Sequence, residues 1–297
     1  MKMKKIMAAV LAVSVMASVA GCSKVKKITH DDFVNACDKM GAEEVDYDDS
    51  NDVEESDLED GVYCVMDSDD IEDVYSQYDS SSSAGMYGMS APDFDSVIEA
   101  ENMQDMTVFV KMDQNIDDIS DAEDLSGLEV NAVIGVHITL TEADMAEEIM
   151  GNLADLMDDL DVEVDDLSSD EYYTGKNEGY LKFDIDAEDL IAAFLESETC
   201  GYLEMMDAGV EEYVEGLEGC VGVAVYISGE NMVIVMGAGV NNAPDYLDEF
   251  CGDLGIASPS KLESNAMIAQ AICDYVDDTL GSMLSSFAAL ATSSSDF

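Results

Sequence analysis

Carboxylate and hydroxyl side chains recur at alternate positions between residues 46 and 57, a spacing that could bind calcium. They occupy the first, third, fifth, seventh and twelfth positions of an EF-hand-like loop: Asp46, Asp48, Ser50, Asp52 and Asp57. However, Asn51 stands where the loop usually needs glycine, and Asp57 is too short to replace the bidentate glutamate. In a chain with 68 acidic residues such spacing also arises by chance. The stretch predicts weak calcium binding, and low-affinity binding of divalent cations by scattered aspartates is the broader alternative.

The first cysteine of the chain follows a targeting segment. Basic residues begin the sequence, and an almost wholly apolar run extends from residue 6 to residue 20. At about 15 residues this run is shorter than the roughly 20 that a membrane-spanning helix needs, so we expect residues 1–21 to be a cleaved signal peptide. The next motif, Val19-Ala20-Gly21-Cys22, resembles a bacterial lipobox, whose cysteine carries a diacylglyceryl group. The resemblance implies a protein anchored through Cys22 to the extracytoplasmic face of the cell membrane.

Six further cysteines could form disulfides or bind metal. None forms a C-x-x-C pair, and with only two histidines in the chain a zinc or iron–sulfur site has few ligands. An even number of cysteines in an exported protein favours disulfides. We expect pairs that are local in sequence: Cys37 with Cys64, Cys200 with Cys220, and Cys251 with Cys273. Six buried thiols are the alternative, because the redox conditions of the compartment decide between the two.

Sequence motifs for catalysis are not found. No G-x-S-x-G elbow occurs, and the glycines at 237–239 lack the third glycine of a dinucleotide-binding loop. His30 falls in the segment after the lipobox, and His137 falls on the polar side of a strand, where a hydrogen-bonded structural imidazole is the simpler interpretation. We therefore predict no catalytic residue, no enzymatic activity and no cofactor beyond weakly bound calcium. A cell-envelope hydrolase that uses a carboxylate pair is the alternative.

The charge of the chain excludes one class of partner. Only 11 lysines and no arginine oppose 68 acidic residues, which gives a formal charge of −57. Nucleic-acid binding requires a basic surface, so we expect no nucleic acid among the partners. The apolar fraction of 47% is that of a folded protein. This composition is similar to that of acidic, poorly characterised surface lipoproteins of anaerobic Gram-positive bacteria, which implies no particular activity. We expect a binding or structural role at the membrane surface, with an unknown protein or envelope component as partner.

Apolar periodicity predicts the elements that must position these residues. Apolar runs and alternation predict strands near residues 62–66, 106–110, 130–140, 181–185, 221–227 and 232–236. Helical spacing predicts helices near residues 29–41, 68–78, 141–160, 186–195, 203–217 and 262–290, with Thr141 as the cap of the third. Together they indicate an α+β fold, a mostly antiparallel sheet with amphipathic helices packed on one face. The strand at 130–140 should place its other face against water or a second layer.

Changes in composition divide the chain. We expect a signal peptide, a lipid-anchored basic tether, a small helix–strand–helix module, a flexible Ser/Gly loop, the main α+β domain and a tail, at residues 1–21, 22–30, 31–78, 79–93, 94–290 and 291–297. Residues 33–41 and 247–255 also share the spacing of an apolar residue, a cysteine, an apolar residue and a glycine. We interpret this as a recurring helix-ending motif, with duplication as the alternative.

Overall fold

The computed structural model describes residues 25–47, 53–83, 97–115, 129–197, 200, 214, 216–275 and 277. Within them one sheet has the strand order β1-β2-β3-β4-β8-β7-β6-β5. Its strands are β1 (Glu43–Glu44), β2 (Val62–Asp67), β3 (Met103–Asn115), β4 (Glu129–Leu140), β5 (Tyr172–Thr174), β6 (Glu178–Asp186), β7 (Gly219–Ser228) and β8 (Asn231–Val240). Strands β1 and β2 are parallel, and the other neighbouring strands of this sheet are antiparallel. The predicted α+β fold with a mostly antiparallel sheet is therefore confirmed.

Helices connect or flank these strands. They are α1 (His30–Lys39), α2 (Glu55–Asp60), α3 (Ser68–Ser83), α4 (Ala146–Asp159), α5 (Ala187–Glu196), α6 (Asp245–Leu254) and α7, residues 266–275. Local sequence explains several ends: Thr29 caps α1 in a capping box, and the Asp186 side chain accepts a 2.8 Å hydrogen bond from the backbone N–H of Asp189 in α5. The prediction for Thr141 is wrong, because α4 begins at Ala146 and its N-cap residue is Met145, whose side chain makes no capping hydrogen bond.

Helices cover both faces of the sheet. A Cβ atom added to Gly135 of β4 would lie 2.6 Å from the Phe250 ring of α6 and 2.9 Å from the Phe33 ring of α1. A Cβ atom added to Gly179 of β6 would instead lie 2.6 Å from Met150 of α4. Gly179 aligns across β7 and β8 with Ile138, so it shares the face of the even-numbered residues of β4, whereas Gly135 lies on the odd-numbered face. The expectation of helices on one face is wrong.

We call the odd-numbered side of β4 the α1/α6 face and the even-numbered side the α4/α5 face. On the α1/α6 face, paired glycines let α6 approach the sheet closely. Gly222 and Gly237 are cross-strand partners, and Cβ atoms there would lie 2.8 and 2.7 Å from atoms of Leu247. Phe33, Phe109 and Phe250 are fully buried on this face of the sheet. The ring centroid of Phe250 lies 4.6 Å from that of Phe109 and 5.4 Å from that of Phe33. Larger side chains on these strands would push the helix outward.

The segment expected to form a small module, residues 31–78, contributes β1 and β2 to the same sheet as the rest of the chain. The two halves of the sheet share one order of elements, β2-α3-β3-β4 and β6-α5-β7-β8, and β4 joins β8 at the centre. Helices α1 and α6, which carry the recurring motif, both end at glycines with positive φ, Gly41 at 84° and Gly255 at 70°. Because α1 precedes the first unit and α6 follows the second, the motif is not part of this repeated order.

Candidate functional site

Most residues of the two sites predicted from motifs lie outside the described part of the chain. This applies to Val19, Ala20, Gly21 and Cys22 of the lipobox and to Asp48, Ser50 and Asp52 of the calcium loop. Asp57 is described, and its carboxylate accepts a 2.8 Å hydrogen bond from the backbone N–H of Glu54 at the start of α2. Among the described residues, no group of three or more His, Cys, Asp or Glu side chains could hold a metal ion. Lipidation and calcium binding stay predictions.

The six downstream cysteines are free thiols in the structure: Cys37, Cys64, Cys200, Cys220, Cys251 and Cys273. Cys37 lies on α1, whereas Cys64 of β2 faces the opposite side of the sheet, so the sheet separates the two sulfurs. Cys251 lies on α6, whereas Cys273 packs in the cluster of Phe183 on the α4/α5 face. The predicted Cys37–Cys64 and Cys251–Cys273 disulfides are therefore absent from the structure, because the sheet lies between the two cysteines of each pair. The predicted bond between Cys200 and Cys220 is absent as well.

The two histidines of the chain meet on the α1/α6 face. His30 is the first residue of α1, and its ring centroid lies 5.8 Å from that of His137 on β4. His137 is fully buried, and its Nε2 lies 3.3 Å from Oδ1 of Asn231 on β8. Burial lowers the pKa of His137, although the hydrogen bond to Asn231 acts in the opposite direction. The imidazole is neutral at neutral pH and links β4 to β8 beneath α1.

A buried carboxyl group lies near the sheet edge formed by β6. Asp184 is 6% exposed, and burial, together with the nearby carboxylates of Asp186 and Asp248, raises its pKa to about 6. For Asp248, burial acts to raise the pKa, but hydrogen bonds from Lys261, Ser260 and Ser258 bring it below the usual range. Two carboxyl groups with pKa values shifted in opposite directions are the pattern of an acid–base pair.

The surroundings of Asp184 leave no room for a substrate. A Cβ atom added to Gly222, its cross-strand partner, would lie 2.8 Å from Leu247, 3.0 Å from Pro259 and 3.3 Å from Oδ1 of Asp184 itself. The thiol of Cys220, which also faces Asp184, has a pKa raised to about 12 by burial and by that carboxylate. At neutral pH the Asp184 carboxyl, with its pKa of about 6, is largely ionised and the Cys220 thiol is not. Packing encloses both groups, so they form a structural cluster.

An apolar cavity of about 340 Å³ opens between α5, α7 and the residues that precede β7. It is lined by Leu190, Ile191, Phe194, Ser197, Val214, Leu217, Ile272, Cys273 and Asp277. Helix α5 positions one wall, since Asp186 caps its first turn, yet within α5 only Ala193 is fully buried. Leu195 on the same helix is 36% exposed. The described residues thus leave part of the apolar surface of α5 uncovered.

This cavity was missed in the sequence because three separate segments build it. Each segment alone has the apolar spacing of an ordinary core helix or of a segment that leads into a strand. The signal that was present is in residues 190–195, where Leu-Ile-Ala-Ala-Phe-Leu is apolar around the whole helix rather than along one stripe. A helix of this kind needs more cover than one sheet face provides.

Comparison with known proteins yields no matching family model, no similar curated protein and no similar solved structure. None of the helices in the described ranges combines the length and apolar character needed to cross a membrane.

Proposed function

We propose that this protein is anchored by lipid to the extracytoplasmic face of the cell membrane and binds a small apolar ligand in the cavity between α5 and α7. The cavity carries the proposal. Its volume of about 340 Å³ falls in the range of roughly 300–1,000 Å³ typical of small-molecule pockets. The described part of its lining has the usual character of such pockets: it is predominantly apolar, and Ser197 and Asp277 are its polar members.

The groups with catalytic potential favour binding without chemical conversion. Asp184 and Asp248 have the shifted pKa values of an acid–base pair, but Leu247 and Pro259 occupy the space beside Asp184. Within the cavity, burial raises the pKa of the Cys273 thiol, which keeps it un-ionised and weakly nucleophilic. In this proposal the ligand is held and released unchanged.

The start of the described chain supports a close attachment to the membrane. Val25 and Ile28 are buried, and the Lys26 ammonium donates a hydrogen bond to the backbone carbonyl of Leu254 at the end of α6. The free tether is then shorter than residues 22–30, since only two residues lie between Cys22 and Val25. At no more than about 3.5 Å per residue, the lipid-bearing cysteine stays within about 10 Å of the domain.

The two-sided arrangement of the helices completes the proposal. Amphipathic helices pack their apolar sides on the sheet and keep their acidic sides in solvent, which keeps the domain soluble beside the membrane. The chain enters over the α1/α6 face, where Lys26 meets the end of α6, whereas the cavity lies among the helices of the α4/α5 face. The ligand therefore enters from the side opposite the anchor.

A neutral fluorescent probe tests the cavity. We expect N-phenyl-1-naphthylamine to bind the purified domain saturably at one site with increased fluorescence, because the probe enters an apolar space. Val214→Phe should weaken this binding at least tenfold by filling the cavity. Val34→Phe is the matched control, since Val34 is also a half-buried helical valine but lies on α1. The absence of saturable binding, or equal binding by the Val214→Phe protein, would rule out the cavity as a ligand site.

Metabolic labelling with a fatty-acid probe tests the anchor in cells. We expect the parent protein to be labelled and recovered with membranes, and Cys22→Ala to be unlabelled and to lose the mature processed form. Labelling of the Cys22→Ala protein as strong as that of the parent would show that Cys22 is not the lipidation site.

A further inference from the structure

The described chain begins as a strap across the α1/α6 face, and we use this name for residues 25–30. Residues 25–29 belong to neither a helix nor a strand. Val25 and Ile28 are 7% and 2% exposed, and the Lys26 ammonium donates a hydrogen bond to the backbone carbonyl of Leu254. A Cβ atom added to Gly255 would lie 2.6 Å from that ammonium, so glycine at the end of α6 leaves room for the lysine. A few side-chain contacts therefore hold the strap in place.

Both histidines of the chain lie where the strap joins α1. His30 ends the strap and begins the helix, and its ring centroid lies 5.8 Å from that of the fully buried His137. Because Oδ1 of Asn231 can only accept a hydrogen bond, Nε2 of the neutral His137 ring carries the proton and Nδ1 carries none. Nδ1 of His137 and Nε2 of His30 are buried and make no hydrogen bond of normal geometry with the described residues. Protonation of His137 thus creates a buried N–H donor that lacks such a bond, which is costly.

Charged and polar groups of the strap, α1 and β3 also act on His137. Burial has the largest influence and lowers the pKa of His137 below its usual 6.5, and His30 lowers it further. Asp105 of β3 and the backbone of Ile28 in the strap act in the opposite direction. The carboxylate of Asp32 on α1 also attracts a positive imidazole. Burial outweighs these attractions, so the docked strap favours the neutral ring.

We infer that mild acid releases the strap and the first turn of α1 from the α1/α6 face, while the sheet beneath them stays folded. His30 and Phe33 lie against the His137 ring, so lifting this segment is a small opening that lets the charged imidazole reach water. Docking is at full strength above about pH 6.5 and weakens as the pH falls below that value, because the docked imidazole holds its proton less tightly. The capping box is not the trigger, since hydrogen bonds from Thr29 lower the pKa of Asp32 below 3.8.

Release would change the reach of the chain beyond the domain. With the strap docked, the free segment after Cys22 ends at Val25. With the strap released, residues 25–29 join that segment, which then spans about 25 Å at about 3.5 Å per residue. If Cys22 carries the proposed lipid, acid therefore lets the domain move farther from the membrane surface.

Hydrogen exchange of the full chain in a mild detergent, measured by mass spectrometry, tests the release. The reporting amides are those of the strap and the first turn of α1, such as Phe33, whose N–H donates a 3.0 Å hydrogen bond to the carbonyl of Thr29. Rates are corrected for the intrinsic pH dependence of exchange. We expect protection in residues 25–34 to fall at least tenfold from pH 7.5 to pH 5.0, and protection in β4 and β8 to fall less than twofold.

Three variants identify the group responsible. His137→Gln cannot become charged but keeps an amide that can bond to Asn231, so strap protection should change less than threefold between the two pH values. His30→Gln removes the second imidazole and should reduce the pH effect at least threefold. Lys27→Gln removes an ammonium from an exposed position of the same strap and should respond like the parent.

Each outcome supports or overturns the release. Equal protection of the strap at both pH values in the parent overturns it, and so does a loss that includes β4 and β8, because the whole fold would then open. A parent-like response of His137→Gln also overturns it. If that variant does not fold, as judged by circular dichroism, a parent-like response of His30→Gln has the same meaning. None of these results depends on the cavity or on a lipid at Cys22, so failure of the proposed function leaves this inference standing.

Discussion

The two faces of the sheet use the scarce cations of this chain differently. On the α1/α6 face, α1 carries Lys39 in its last turn, and the end of α6 receives hydrogen bonds from Lys26. On the other face, α4 and α5 have acidic first turns and no basic residue in their last turns. The first face is closed by aromatic rings packed on glycines, and the second contains the cavity.

This difference indicates that the helices of the α1/α6 face are held firmly against the sheet, whereas those of the α4/α5 face leave an accessible cavity. The carbonyl groups at a helix C-terminus carry partial negative charge, and a lysine there is stabilising. With 11 lysines in the whole sequence, only some helices can be stabilised in this way. In the described structure these are α1, which has Lys39 in its last turn, and α6, whose final carbonyl accepts a hydrogen bond from Lys26. Helix α5, which lines the cavity, has no such lysine.

Adding one methyl group to each face should produce the largest contrast. Gly135→Ala places a Cβ atom 2.6 Å from Phe250 and 2.9 Å from Phe33, whose buried rings also contact each other. We expect a loss of about 3 kcal/mol in the free energy of unfolding, because neither ring can move without displacing its helix. Gly151→Ala on α4 meets nothing within 4 Å and should stabilise by about 0.5–1 kcal/mol through helix propensity.

Chemical denaturation of the two variants measures both effects. The contrast matters because glycine is replaced by alanine in each case, so backbone entropy cannot explain opposite signs in the two proteins. Equal stability of the Gly135→Ala protein and the parent would show that the aromatic layer is loosely packed, and the fixed character of the α1/α6 face would then be wrong.

Sequence patterns predicted the strands: apolar residues alternate in β4, β6 and β7 because successive side chains point to opposite faces, and β8 has a continuous apolar run. The β7–β8 hairpin turns at Ser228 to Asn231, as the turn residues indicate. Periodicity did not reveal what covers each face. Asn131, Gly135 and His137 look like positions exposed to water, yet all three are buried. Their small or polar side chains leave space for rings that come from α1 and α6, which are distant in sequence.

The candidate site was harder to predict for the same reason. The lining residues near α5, before β7 and near the end of α7 form the cavity only after β6 and β7 bring these three segments together. The cysteine pairing failed similarly, because sequence distance between Cys251 and Cys273 says nothing about which side of the sheet each helix occupies. Local patterns indicate elements, but assignment of helices to faces depends on packing between distant segments.

Neutralising the buried acid of the α1/α6 face should have the next largest effect. Burial raises the pKa of Asp184 from 3.8 in the unfolded chain to about 6 in the folded one. At about 1.4 kcal/mol per pKa unit, ionisation of this group costs the fold on the order of 2–3 kcal/mol at pH 7.5. We expect Asp184→Asn to stabilise the protein by about that amount at pH 7.5, since the amide stays neutral.

The pH dependence gives the sign. The folded protein binds the proton of Asp184 more tightly than the unfolded chain does, so the protonated group stabilises the fold. This stabilising contribution is fully present below pH 3.8 and is lost as the pH rises through about 6. The advantage of Asp184→Asn should therefore vanish below about pH 4 and grow to its full size above pH 7. Denaturation curves at several pH values check this, with Asp158→Asn on the exposed side of α4 as control. A pH-independent difference between the Asp184→Asn protein and its parent would contradict the assignment.

The smallest effect concerns the lysines themselves. The Lys111 ammonium donates a 2.7 Å hydrogen bond to the backbone carbonyl of Met40 at the end of α1, and it lies 5.1 Å from the ring centroid of Tyr246. Lys111→Met keeps the apolar stem but removes the donor, and we expect a loss of about 1 kcal/mol from the uncapped carbonyl and the lost cation–π contact.

Lys176→Met removes the same charge from an exposed turn between β5 and β6, where Lys176 makes no hydrogen bond or ion pair with the described residues. This substitution should change the free energy of unfolding by less than about 0.5 kcal/mol. The pair separates two explanations. Lysines could stabilise this acidic protein only by reducing the size of its negative net charge. In that case both variants lose the same amount of free energy of unfolding, and raising the salt concentration reduces that loss equally for both. If position matters, only Lys111→Met is costly, and most of its cost remains at high salt because the bond is partly buried. The second result is the one that a fixed α1/α6 face requires.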